Sequence, residues 1–165
     1  GGLTYLTSLI INHPYYNIYN RDYDISIIRL STVISFTNVI QPATISGPNY
    51  FLADNQVVWV AGWGSTFYGG PPSESLRHAQ IWTVNINICR ARYTELGYIV
   101  SDNMLCAGWL DVGERGNCQG DFGGPLYHNR VVVGVTSWTV GCAEPRYPGV
   151  STRISLFTPW IQANA

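Results

Sequence analysis

Turn residues interrupt this chain so often that only short strands fit between them. Gly47-Pro48, Gly69-Gly70-Pro71-Pro72, Gly123-Gly124-Pro125 and Pro148-Gly149 punctuate it at intervals too short for a long helix. The apolar stretches between them suit β structure. Ile25–Leu30 is compact and apolar, Val57–Ala61 runs into Gly62-Trp63-Gly64, and residues 79–86 (AQIWTVNI) alternate as in a half-buried strand. Val131–Trp138 and Gly149–Ile154 supply two more strands. The composition agrees: 17 Gly, 9 Pro, 11 Tyr and 6 Trp suit an all-β chain with many turns better than a helical bundle. Many short strands separated by turns imply a sandwich or a barrel. Leu156, Phe157, Trp160 and Ile161 fall at helical spacing, so a short helix is expected over 156–163, with Pro159 in its first turn.

Charge narrows the function classes. A formal charge of −1 with 12% charged residues disfavours a nucleic-acid partner, which needs a basic stripe to neutralise phosphates. Runs such as Val131-Val132-Val133 are far shorter than the roughly 20 residues of a membrane span, so no membrane partner is expected. No charged segment followed by an apolar core opens the sequence, so no leader peptide is expected within it. All 9 basic residues are Arg. Arginine stays charged where lysine loses its proton, near pH ~10.4, so such a surface keeps its cations in an alkaline fluid; chance or codon usage gives the same pattern.

Four cysteines, Cys89, Cys106, Cys118 and Cys142, allow three pairings. Sequential pairing closes two moderate loops, each stabilising by about 3 kcal/mol in the loop-entropy model. None forms a C-x-x-C pair and no His stands at metal-ligand spacing, so neither a metal nor another cofactor is expected. An even count in such a chain points to a secreted, extracellular, oxidised protein.

The chemistry concentrates in Gly116–Leu126, GNCQGDFGGPL. A cysteine followed by Gly-Asp-x-Gly-Gly-Pro resembles the chymotrypsin/trypsin family of serine proteases, whose nucleophile occupies the x. Tyr23-Asp24-Ile25 with Ile27–Leu30, Val60–Gly64, Cys106-Ala107-Gly108, Val135–Trp138 with Gly141-Cys142, Pro148-Gly149-Val150 and Trp160-Ile161 match further landmarks in the family's order. The flavour is that of caterpillar gut trypsins. The resemblance implies a chymotrypsin-like double antiparallel β-barrel with the site between the barrels and a short C-terminal helix. It places residues 1–45 in the remainder of an incomplete first barrel, 46–55 in a linker, 56–150 in the second barrel, and 151–165 in a final strand end and helix.

By the same resemblance Asp24 is the catalytic aspartate, Gly120 belongs to the oxyanion hole together with the N–H of residue 122, and Asp121 is the carboxylate that receives the new terminus on activation. Gly116, Asn117, Gln119, Ser137, Trp138, Thr139 and Gly149 line the specificity pocket. Three departures stand against activity. Phe122 occupies the nucleophile position, and a benzyl group has neither the lone pair to attack a carbonyl nor a proton to give. No Ala-Ala-His-Cys string, the family's setting for the catalytic histidine, occurs here, and His13, His78 and His128 fall in other contexts. Gly1-Gly2-Leu3 does not match the family's Ile-Val-Gly-Gly opening, which leaves Asp121 without that partner, to find another donor or face solvent in a loosened loop. Gly116 stands where trypsins carry the pocket aspartate, Thr139 narrows the mouth and Gly149 leaves the far wall open. A trypsin-type preference for Arg or Lys is therefore not expected, and a small or medium apolar group fits better.

The ring of Phe122 is expected to turn into the cleft. The leading expectation is thus a trypsin-like serine endopeptidase by family that is inactive as written. The alternatives are a secreted digestive endopeptidase represented by an incomplete or altered chain, and a non-catalytic binding or defence protein on a protease scaffold. Expected partners are a peptide or protein substrate or inhibitor in the interbarrel cleft and a separate N-terminal chain; the alkaline gut lumen is the expected setting.

Overall fold

The structure, a computed structural model, describes residues 2–165. Six strands close into an antiparallel barrel. In chain order they are β4 (Val57–Gly62), β5 (Arg77–Val84), β6 (Met104–Gly108), β7 (Pro125–His128), β8 (Val131–Trp138) and β9 (Gly149–Arg153). Pairing runs β8-β7-β4-β5-β6-β9, and β9 returns to β8, with Val135 opposite Thr152 and Thr136 opposite Ser151. Closure removes the free edges that an open sheet would present. Inside lie Val58, Val60, Ile81, Leu105, Leu126 and Val133. A second cluster at the other side joins Val84, Tyr93, Val100, Met104, Trp138 and Val150.

Ahead of this barrel, β1 (Thr7–Asn12) and β2 (Ser26–Leu30) form a separate two-stranded antiparallel ribbon. Leu9, Ile10 and Ile28 on it are exposed. A lone pair of strands is marginal in water, and here side chains beyond the ribbon anchor it. His13, following β1, is buried with its ring stacked on Tyr23 at 4.9 Å and edge-on to Phe157 at 5.3 Å. The two-residue β3 (Thr44–Ile45) then pairs in parallel with the start of β8.

Two sequence expectations need correction. The alternating run 79–86 ends as a strand at Val84, and Asn85 caps an α-helix, α1 (Ile86–Thr94), its Oδ1 accepting from the N–H groups of Asn87 and Ile88. The C-terminal helix α2 spans Ile154–Asn164, so Pro159 lies inside it rather than in its first turn. Buried Ile154 and Phe157 start the helix earlier than the apolar spacing suggested. Thr158 donates its hydroxyl to the carbonyl of Ser46, 2.7 Å away, fixing the helix to the barrel wall.

Both disulfides are sequential. Cys89–Cys106 ties α1 to β6, and Cys118–Cys142 ties the loop before β7 to the loop after β8.

Candidate active site

Asp24 precedes β2 and is half-buried between ribbon and barrel. The hydroxyl of Ser137, in β8, donates to its Oδ2 at 2.5 Å, across 113 residues of sequence. Thr152 of β9 donates to its backbone carbonyl at 2.6 Å. Two residues upstream, Asp22 Oδ1 accepts from Ser101 Oγ at 2.7 Å, Asn103 Nδ2 at 3.0 Å and the Tyr23 N–H at 3.0 Å. These contacts clamp the segment to the closed barrel. Hydroxyl and amide donors compensate carboxylates removed from water better than apolar contact does.

Among the described residues no histidine hydrogen-bonds to Asp24. His13 Nδ1 accepts from the Tyr15 N–H at 3.3 Å, and burial lowers its pKa. His128 pairs with the Tyr50 hydroxyl at 2.7 Å, and His78 lies on the outside of β5 against Trp59.

The loop between Gly116 and Gly124 carries the second half of the site. Asp121 does not lack partners: its Oδ1 accepts from the Gly64 N–H at 2.8 Å and its Oδ2 from the Cys118 N–H at 3.0 Å. The sequence-level alternative of a loosened, solvent-facing carboxylate is therefore set aside. The physical reason is proximity to glycine. A Cβ on Gly62 or Gly64 would come within 2.0 or 2.4 Å of Asp121 side-chain atoms, so only bare backbone lets the carboxylate reach those N–H groups. Asp121, Gly62, Gly64 and the Cys118–Cys142 bridge line a cavity of about 410 Å³ beside the loop.

Gly120 has a φ of 95° and packs within 3.0 Å of Gly64 Cα at its would-be Cβ position, which bars a larger residue. Within the loop the N–H groups of Asp121, Gly123 and Gly124 reach the carbonyls of Cys118, Thr136 and Asp121. Those of Gly120 and Phe122 meet no protein acceptor among the described residues. Two backbone donors are thus left free on either side of Asp121. Phe122 joins neither buried cluster and is 47% exposed.

Of the expected pocket residues, Asn117 and Gly149 meet directly, and this corrects one expectation. Gly149 does not leave an open wall. The side chain of Asn117 is buried and its Oδ1 sits 1.9 Å from where a Gly149 Cβ would be. The Asn117 amide therefore spans the space that glycine vacates. Gly116 packs against Ala143 and lines the cavity next to Asp121. Trp138 is buried against Tyr93, ring centroids 4.7 Å apart. Sequence reasoning missed Asp22, Ser101 and Asn103, and it missed Ser137 as the partner of Asp24. No local pattern marks such pairings, because each joins segments 79 to 113 residues apart. Among the described residues no group of three or more His, Cys, Asp or Glu side chains is arranged to hold a metal ion, and no helix is long and apolar enough to cross a membrane.

Comparison with known proteins follows the same lines. The sequence profile described as Trypsin matches residues 3–161. The chain is 61% identical over 165 residues to trypsin CFT-1 of Choristoneura fumiferana and 57% identical to trypsin, alkaline B of Manduca sexta, covering all of this chain and 64% of each relative. It is 50% identical over 169 residues to achelase-1 of Lonomia achelous, covering 71% of that protein. The chain thus spans a little under two thirds of the length of the first two.

Proposed function

This chain belongs to the trypsin family of serine proteases, and on that premise we propose that it keeps the family's peptide-binding cleft while lacking the nucleophile for acyl transfer. The observation that carries the reading is Phe122 at the nucleophile position, flanked by intact supporting parts. Asp24 is held by Ser137, Asp121 is held by backbone N–H groups, and the N–H groups of Gly120 and Phe122 are free to receive a carbonyl oxygen. In a comparable protease, loss of the nucleophile alone lowers turnover by about 10⁶. Donors aimed at an oxyanion lower the barrier of bond making, but they do not supply the bond.

Gly116, Asn117, Gln119, Ser137, Trp138, Thr139 and Gly149 form the side-chain pocket in this reading. It holds no carboxylate, and the Asn117 amide across from Gly149 shortens it. A small side chain suits it better than the long cation of Arg or Lys. The two disulfides support an extracellular protein. The Lys-free surface and a relative named an alkaline trypsin support an alkaline setting such as a gut lumen.

The 61% identity to trypsin CFT-1 supports a second reading, a secreted digestive endopeptidase of which this chain is an altered or incomplete form. A fluorophosphonate probe separates the two. Unlabelled protein, with the peptide spanning residue 122 recovered unmodified by mass spectrometry, is the expected result. A phosphonylated chain overturns the first reading in favour of the second.

A further inference from the structure

The turn that leads to Asp24 also carries a cation, Arg21, with no counter-ion among the described residues. Asn17–Asp22 forms a closed loop, with the Asn17 N–H on the Asp22 carbonyl at 3.0 Å and the Arg21 N–H on the Asn17 carbonyl at 2.7 Å. Arg21 and Tyr23 both adopt positive φ, 57° and 56°. The left-handed region is unfavourable for residues with large side chains, and such strain is retained where the surroundings fix it. Here it directs the Arg21 guanidinium over the rings of Trp138, at 5.6 Å, and Tyr98, at 6.0 Å. A guanidinium held over aromatic faces keeps its N–H groups for acceptors lying in its own plane.

Among the described residues Arg21 makes no ion pair and its side chain donates no hydrogen bond. The two carboxylates next to it in sequence are engaged elsewhere: Asp22 by Ser101 and Asn103, and Asp24 by Ser137. Arg21, Asn17, Asn20, Tyr98 and Trp138 line a cavity of about 230 Å³. Both amides turn their acceptors inward. Asn17 Oδ1 accepts from the N–H groups of Tyr19 and Asn20, and Asn20 Oδ1 accepts from that of Asp22. What the two side chains have left to offer is their NH₂ donors. A cavity lined by a cation with no ion pair among the described residues selects for an anion.

We propose that this cavity is a subsite for the carboxylate of a Glu or Asp side chain in a bound peptide. The volume suits one side chain rather than a whole ligand. Its lining includes Trp138, the residue after the Ser137 that holds Asp24, so a peptide lying over the candidate active site passes it. The inference rests on the cleft being peptide-binding and adds the charge of one residue recognised there.

Calorimetric titration of the full chain with N-acetylated tetrapeptide amides, scanned with Glu against Gln at each position, tests it. At one position Glu binds about tenfold more tightly than Gln, the advantage of a charge-assisted hydrogen bond. The preference disappears in Arg21→Gln and falls steeply in about 1 M salt, where the Debye length is near 3 Å. The salt arm needs no variant, so it stands even where Arg21→Gln fails to fold. Equal affinity for Glu and Gln at every position refutes the anion subsite and leaves the peptide-binding cleft intact. Absence of binding by every peptide refutes both. Free glutamate binding as tightly as the best peptide refutes the peptide source of the carboxylate.

Discussion

Tyr93 ties the barrel core to pH. Its ring is fully buried among Trp138, Tyr98 and Tyr147, and its hydroxyl donates to the Pro148 carbonyl at 2.7 Å. Burial pushes the phenol's pKa above its ordinary value of 10.0, because the phenolate loses its hydration inside the core. In the unfolded chain the same phenol ionises near pH ~10. The unfolded state therefore releases its proton first as pH rises. Tyr93 contributes its stability in full below pH ~10 and loses it above, toward the raised native value. With one proton at stake the slope approaches about 1.4 kcal/mol per pH unit. Integrated from half-ionisation, the loss between pH 10 and 11 is about 1 kcal/mol. Tyr93→Phe removes this linkage and leaves the Pro148 carbonyl without its donor, at a cost of about 1–2 kcal/mol near neutrality. Urea unfolding of both proteins at pH 8, 10 and 11 thus gives a gap that shrinks by about 1 kcal/mol across the last step. A gap that stays constant from pH 8 to 11 contradicts the raised native pKa of Tyr93, because it means the buried phenol titrates like an exposed one.

Other perturbations have equally definite outcomes. His13 is buried neutral with Nδ1 accepting from Tyr15, and burial lowers its pKa. The unfolded chain takes up that proton first, so stability falls as pH drops below about 6.5; urea midpoints at pH 7.5 and 5 show the loss, and His13→Gln reduces it. Asp22→Ala removes the acceptor of Ser101, Asn103 and Tyr23 and lowers stability by about 1–3 kcal/mol in chemical denaturation. Replacing both Cys89 and Cys106 by Ala frees α1 from β6 and lowers stability by about 2–4 kcal/mol. A calorimetric melting temperature unchanged by that double substitution contradicts the anchoring role given to the bridge.

The barrel strands were legible because alternation and turn residues coincide there. β8 follows Val131–Trp138 as read, and β4 extends one residue beyond Val57–Ala61. Helix α1 was not legible by periodicity. INICRARYT carries no apolar stripe, and only Cys89 and Tyr93 on it are buried. A covalent bridge and one aromatic side chain hold it, and neither leaves a 3.6-residue signature. Its start did leave a signal: Asn85 ahead of the helix is a favoured cap. The site showed the same division. The string at 116–126 marked the loop, yet Asp121 in it is oriented by Gly64, and Asp24 is held by Ser137 and Thr152, contributions that depend on the closed barrel. Asn117 filling the space beside Gly149 also lay beyond the sequence, since it depends on which of two facing segments supplies the side chain.

The proposed loss of acyl transfer at residue 122 is tested by the intact mass of the protein after incubation with an activated peptide ester at pH 8 and 10. An unchanged mass and no stoichiometric release of the leaving group are expected. One acyl group per chain, mapped to the loop between Cys118 and Gly124, would contradict the proposal.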